Sequence, residues 1–257
     1  MSATNRAQER SRRLAANPLD FYETPHDAVE VLLTVLREEI SLDESPTIID
    51  AGCGTGVIGL AVQFEFGCNV VGVELDLGRQ QEALRRGLDV WQEDFLASTE
   101  DIRTLAPQQV DHVVGNPPYH VAVPFVHKAL DVVAEGGLVS FLLRLNFLGS
   151  GRKRYDLLAP GRGLYRVDVL TDRPSFCTTT KCKACGQTWQ FAAGVPLREA
   201  RHPEGHPACE HSGNPPKVGT PYTASRTDSV DYAWVTWCKG YTGHARIDIQ
   251  PSRKGTP

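Results

Sequence analysis

The stretch from Thr47 to Phe66 most restricts what this chain can fold into. Thr47-Ile48-Ile49-Asp50 runs into Ala51-Gly52-Cys53-Gly54-Thr55-Gly56 and on to VIGLAVQFEF. The β-branched residues favour a strand, and the alternating glycines permit a tight turn where a ligand can approach bare backbone. The order is strand, Gly-rich turn, helix. The pattern is G-x-G-x-G. It is not the dinucleotide pattern G-x-G-x-x-G, and it lacks the Lys-Ser/Thr of a P-loop. Asn69 to Val73 reads as the next strand. Glu74 sits at its carboxyl end, about twenty residues past the glycines, where an acidic residue can accept hydrogen bonds from a ribose diol. Together the turn and Glu74 point to an adenosine-bearing ligand.

The elements that follow keep the alternation. Gly78 to Arg86 reads as a short helix, and Asp89 to Trp91 starts a third strand that ends near Gln92-Glu93-Asp94-Phe95. Asp94 with an aromatic behind it can hold an adenine, carboxylate to the amino group and ring face to the purine. Val110 to Val114 is a fourth strand, His120 to Glu135 a helix, and Leu138 to Phe147 a buried strand. Arg152, Lys153 and Arg154 fall on a following helix or loop, Tyr165 to Leu170 is a sixth strand, and Asp231 to Cys238 is the last. The pattern predicts an α/β fold with a doubly wound, mostly parallel sheet of seven strands. Upstream, Thr24 is placed as an N-cap, Pro25 at the first helical position and Asp27 at capping-box spacing. Val29, Leu32, Leu33, Leu36 and Ile40 then follow helical spacing. A helix is expected from about Pro25, with Phe21 to Thr24 feeding its positive end, which can receive a carboxylate.

After the fourth strand come Gly115 and the tetrad Asn116-Pro117-Pro118-Tyr119. Each proline fixes its own φ and pushes the preceding residue away from helix. The tetrad is therefore stiff and is not expected to open a helix. It holds an amide and an aromatic ring just past a strand's carboxyl end, where ligands bind in open α/β sheets.

The net charge of −4 excludes nucleic-acid binding by bulk charge. The distribution is uneven: Ser140 to Gln190 holds nine Lys/Arg against three Asp, and residues 1–18 form an arm with Arg6, Arg10, Arg12 and Arg13. No apolar run reaches the roughly 18 residues of a membrane span, and the polar N-terminus does not read as a secretory signal. Cytoplasmic location is expected. Of seven cysteines, Cys53, Cys68 and Cys238 stand alone beside apolar segments and read as small buried side chains. Cys177, Cys182, Cys185 and Cys209 cluster, which reads as metal binding before disulfides. Cys182-x2-Cys185 and His206-x2-Cys209 share a spacing that suits two knuckles on one tetrahedral zinc. Cys177, His202 and His211 are rival ligands, and plain or redox-active thiols are the alternative. This stretch, residues 177–226, is Gly/Pro-rich and poor in apolar residues, so a metal would supply stability that its core cannot. Lys181, Lys183, Gln187, Trp189 and Gln190 would then offer a DNA-reading surface.

DAGCGTG, Glu74, the Asp94-Phe95 pair and NPPY, in that order and spacing, resemble the class I S-adenosylmethionine-dependent methyltransferases of the N6-adenine type. FYETP resembles the segment that closes over the methionine part of the cofactor. RPSF (Arg173 to Phe176) and DSVDYAWVTW resemble small phage and prophage DNA adenine methyltransferases. The resemblance spans about residues 19–176 and 227–250. It implies a Rossmann-like methyltransferase domain over 19–176 and 227–257, with 177–226 as an insert where the family has a short loop. It further implies that Tyr22, Thr24, Pro25, Asp50, Gly52, Gly54 and Gly56 hold the methionine part, Glu74 the ribose, and Asp94 with Phe95 the adenine. The Asn116 side-chain oxygen, which borders the cofactor, and the Pro117 carbonyl would accept from the target amino group. Pro118 keeps the tetrad rigid, and Tyr119 stacks on a base taken out of its duplex. Phe176, Arg152 and Lys153 would contact substrate. DNA is the implied partner in a bacterial or phage-infected cell, with no obligate protein partner. An RNA adenine methyltransferase and a protein glutamine N5-methyltransferase remain the alternatives, since NPPY serves all three.

Overall fold

The structure, a computed structural model, describes residues 23–40, 45–96, 102, 109–149, 151–171, 174, 179–181, 188–190 and 230–250. The main sheet has eight strands. In chain order, α1 (His26–Glu39) precedes β1 (Thr47–Ala51), α2 (Val57–Phe66), β2 (Asn69–Glu74), α3 (Leu77–Arg86) and β3 (Asp89–Gln92). Then come β4 (His112–Gly115), α4 (Ala122–Val132), β5 (Leu138–Arg144), α5 (Tyr155–Leu158) and β6 (Leu164–Leu170). A separate antiparallel pair, β7 (Thr179–Lys181) and β8 (Thr188–Gln190), is followed by β9 (Tyr232–Cys238) and β10 (Arg246–Gln250). The sheet order is β10-β6-β9-β5-β4-β1-β2-β3. β9 runs antiparallel to β5 and β6, and every other pairing in the main sheet is parallel.

Neighbouring residues on the central strands point to opposite faces. Ile49, Val113 and Val139 join Phe125 and Val126 of α4 in one apolar cluster. Ile48, Val114 and Leu142 join Leu32 and Leu36 of α1 and Ile58 of α2 in the other. Burial on both faces explains why these strands read as continuous apolar runs. From β1 the chain winds outward to β2 and β3, then returns to the other side with β4 and β5. That reversal leaves a crevice at the carboxyl ends of β1 and β4, the topological switch point.

Seven strands were expected in the main sheet, and eight are present among the described residues. β10 was missed because Ile247 and Ile249 face solvent, at 67% and 65% exposure, while its half-buried positions are Asp248 and Gln250, so the strand shows no apolar inner face. The strand is held by charge: half-buried Asp248 pairs with Arg166 of β6 at 3.3 Å, and exposed Arg246 with Glu38 of α1 at 2.8 Å. β5 ends at Arg144, three residues before the expected Phe147, and continues as a 3-10 turn over Leu145–Leu148. Tyr119 does open a helical segment, a 3-10 turn over Tyr119–Val121 in which Val121 N–H donates to the Pro118 carbonyl. The prolines stay outside the helix and Tyr119 does not. α1 is capped by Pro25, with no side-chain cap, and Thr24 is turned elsewhere.

Residues 1–22, with the basic arm and Tyr22, lie outside the described residues. So do Phe176 and the proposed zinc ligands Cys182, Cys185, His206 and Cys209 with their rivals Cys177, His202 and His211. Among the described residues no cluster of three or more His, Cys, Asp or Glu could hold a metal ion, and no helix is long and apolar enough to cross a membrane.

Candidate active site

The glycine turn after β1 is pinned to β2. Gly52 and Cys53 donate their N–H groups to the Val73 carbonyl at 2.8 and 3.1 Å, and Gly54 N–H reaches Glu74 Oε2 at 2.9 Å. Gly52, Gly54 and Gly56 all have positive φ, at +70°, +56° and +86°, which a side chain would resist. Gly56 caps α2, and its missing Cβ lets α3 pack close: a Cβ there would meet Leu88 at 3.1 Å and Ala83 at 3.2 Å.

Glu74 is buried and heavily engaged. Its Oε1 accepts from Asp76 N–H at 2.8 Å and from Arg79 Nε and Nη2 at 3.2 and 3.1 Å. A ribose placed on this carboxylate would share it with Arg79. Asp50 lies beneath the turn, fully buried, with Oδ2 accepting from Gly59 N–H at 2.8 Å and Oδ1 without a hydrogen-bond partner. Burial pushes its carboxyl up to about 7, against the Gly59 N–H and with a smaller push from Glu74. Burial also raises the Cys53 thiol, and the nearby Asp50 and Glu74 add to the rise, so it stays protonated.

The tetrad leaves β4 through Gly115, where a Cβ would lie 2.5 Å from the Ala51 carbonyl oxygen. Only glycine lets the chain pass so close to β1. Asn116 Nδ2 donates to Thr24 Oγ1 at 3.1 Å, and Tyr119 Oη donates to Asn116 Oδ1 at 3.2 Å. Thr24 was expected as a helix cap. Its hydroxyl instead orients the Asn116 amide, which explains its burial ahead of α1. The Tyr119 ring lies 5.7 Å from the Tyr232 ring, and the Arg144 guanidinium sits 4.6 Å from its centroid.

One cavity of about 270 Å³ joins these parts. Of the residues singled out in the sequence, Thr24, Gly52, Gly54, Glu74, Asp94 and Phe95 line it, together with all four residues of the tetrad. Phe95 is only 3% exposed, and its ring packs against Phe125 at 5.1 Å, so it serves the core as well as the cavity wall. Asp94 Oδ1 accepts from Leu96 N–H at 2.9 Å. Pro25, Asp50 and Gly56 lie outside the lining and shape it from behind. Arg152 is exposed and also lies outside it. Glu23, inside the segment expected to hold the methionine part, lines it too, and Arg79, Glu93, His120 and Arg144 line it without having been singled out. Glu23 accepts from Thr55 Oγ1 at 2.7 Å and from Arg86 at 3.2 Å, tying the segment before α1 to the glycine turn. The charges are unevenly placed. Glu23, Glu74, Glu93 and Asp94 gather around the turn and β2–β3, and Arg144 and His120 stand beside the tetrad.

Residues 22–143 match the family model of the methyltransferase small domain. Mouse tRNA (uracil-5-)-methyltransferase homolog A is 44% identical over 59 residues, which make up 23% of this chain and 10% of that protein. The chain thus covers about a tenth of the length of the curated relatives it matches. A Listeria monocytogenes protein assigned to the class I S-adenosylmethionine-dependent methyltransferases superposes with a TM-score of 0.55 at 13% identity, covering 90% of this chain and 67% of that one. The DrdV–DNA complex superposes with a TM-score of 0.55 at 14% identity, covering 90% of this chain and 28% of that one. The fold is the Rossmann-like methyltransferase fold, and residues 22–143 resemble the methyltransferase small domain.

Proposed function

We propose that the chain transfers a methyl group from S-adenosylmethionine to the N6 amino group of adenine in DNA. The observation that supports the reading is the Asn116 amide, anchored through Nδ2 to Thr24 and lining a cavity whose other half is acidic. The residues fit the donor. The molecule carries a net positive charge through its sulfonium and ammonium groups, and Glu23, Glu74, Glu93 and Asp94 supply the complementary field. The bare backbone of Gly52 and Gly54 suits its methionine part, Glu74 its ribose and Asp94 its adenine. Asp50 and Gly56 hold the turn that presents them.

When bound, the donor supplies an electrophilic methyl group on sulfur. The chain's own work is on the acceptor. An exocyclic amino nitrogen is a poor nucleophile because its lone pair is delocalised into the ring. Asn116 Oδ1 and the Pro117 carbonyl would accept hydrogen bonds from its two N–H groups and draw the nitrogen towards tetrahedral geometry; as the N–C bond forms the donor's S–C bond breaks, and one N–H proton is lost to solvent. Oδ1 has a second lone pair and can keep or exchange the Tyr119 hydroxyl. Tyr119 offers its ring to the flipped base. Rate comes from positioning and fixed dipoles, with no covalent intermediate on the protein. Methylation at a pyrimidine carbon needs an attacking thiolate, and burial pushes up the thiol of Cys53, which among the described cysteines lines this cavity.

The fold shared with the DrdV–DNA complex favours DNA. RNA is the second reading, favoured by the local identity to proteins named as tRNA methyltransferases. The zinc assignment belongs to the same proposal: the segment joining β7 to β8 carries Cys182-x2-Cys185, and a tetrahedral site with His206 and Cys209 would cross-link the insert. Metal analysis should find about one zinc per chain, lost in Cys182→Ser; none in the wild type removes the assignment. Methyl-labelled donor offered duplex DNA, RNA and a glutamine-containing peptide should label the DNA. Label confined to RNA or to the peptide overturns the proposal.

A further inference from the structure

We infer that Arg144 is the residue that selects a nucleotide as acceptor, by pairing with a backbone phosphate beside the base that Tyr119 receives. The inference rests on the proposed function and deepens it. Arg144 is the last residue of β5, at the same end of the sheet as the tetrad, and it lines the cavity. Its register partner on β9 is Tyr232. The strand pairing therefore places an arginine and a tyrosine side by side, and both meet the Tyr119 ring, at 4.6 Å and 5.7 Å. Tyr232 is buried at 2% exposure and acts as backing. Arg144 brings a guanidinium to this end of the cavity.

The other arginine of the lining, Arg79, is paired with Glu74 on the donor side. Glu23, Glu74, Glu93 and Asp94 line the donor end together with Arg79, and Arg144 lines the end where the acceptor enters. A guanidinium suits a nucleotide in two ways, by stacking on an aromatic plane and by presenting paired N–H groups to a phosphate. A glutamine side chain on a protein offers neither feature. A lysine here would keep the charge and lose the stacking. The geometry therefore favours a polynucleotide over the peptide alternative at the same tetrad.

The test compares full-length wild type with Arg144→Ala and Arg144→Gln, the latter keeping a long polar stem. Each variant is first checked for unchanged affinity for S-adenosylmethionine by calorimetry, which reports an intact donor half. Binding to a fluorescent duplex DNA and to an RNA of the same sequence is then measured across a salt series. Both variants should bind the preferred polymer about tenfold more weakly, and the slope of log affinity against log salt should fall by about one. Wild-type binding with unchanged affinity and slope in both variants overturns this inference alone. Wild-type protein that binds neither polymer overturns it together with the nucleic-acid reading.

Discussion

Asp50 shows how a single residue couples the site to the fold. It is wholly buried under the glycine turn, and burial raises its carboxyl to about 7. In an unfolded chain the same group titrates near about 4. The folded form therefore holds the proton more tightly, and folding is favoured at low pH; that contribution is lost as pH rises from about 4 to about 7. Asn at this position does not titrate. The stability of Asp50→Asn relative to wild type should rise through that window and level off above it, read from urea midpoints at constant ionic strength. A difference that does not vary with pH would show that Asp50 is not titrating there. His112 is displaced the other way, down to about 4 by burial, but it is common to both proteins and cancels. The sequence could place Asn116, Glu74 and Asp94 at the cavity wall because each stands at or just past the carboxyl end of a recognisable strand. It could not place Arg144, because nothing in a single sequence marks where β5 stops; had the strand been ended there, its position would have pointed to the site.

At the scale of elements, the site depends on how closely β1 and β4 approach. Gly115 is the point of contact, and the group a Cβ would meet is backbone, the Ala51 carbonyl at 2.5 Å, which has no rotamer to give. Gly115→Ala should lower stability by about 1–3 kcal/mol in urea unfolding, the usual cost of overpacking, and should weaken donor binding with it. Full stability would mean that the two strands separate without cost. The helices were legible from their apolar spacing, and the central strands from runs buried on both faces. β10 was not: its half-buried residues are an aspartate and a glutamine, and they and exposed Arg246 are held by partners on β6 and α1 that are distant in sequence. Thr24 was misread for a related reason. Its local sequence satisfies a capping rule, but a tertiary partner, Asn116, takes the hydroxyl.

Across the whole molecule, two polar systems share α1. Thr24, just ahead of its N-terminus, serves the cavity, while Glu38 and Glu39 at its other end join Arg166, Asp168 and Asp248. The helix has 14 residues, so these systems stand roughly 20 Å apart. Arg166 is 2% exposed and Asp168 is fully buried. Arg166→Met leaves Asp168 without its counter-charge and should cost about 3–5 kcal/mol, read by chemical denaturation, while donor affinity of the folded protein stays unchanged; a mild effect would mean that the network is solvated. The central claim concerns the other system, that Asn116 presents an adenine amino group to the methyl donor. Its most direct test is to incubate the full chain with S-adenosylmethionine and duplex DNA, digest the DNA to nucleosides and identify the methylated product by mass spectrometry. The account predicts N6-methyl-2′-deoxyadenosine from the wild type and at least about 10²-fold less from Asn116→Ala, with donor binding retained. A methyl group on a pyrimidine carbon, or N6-methyladenine formed equally well without Asn116, would contradict it.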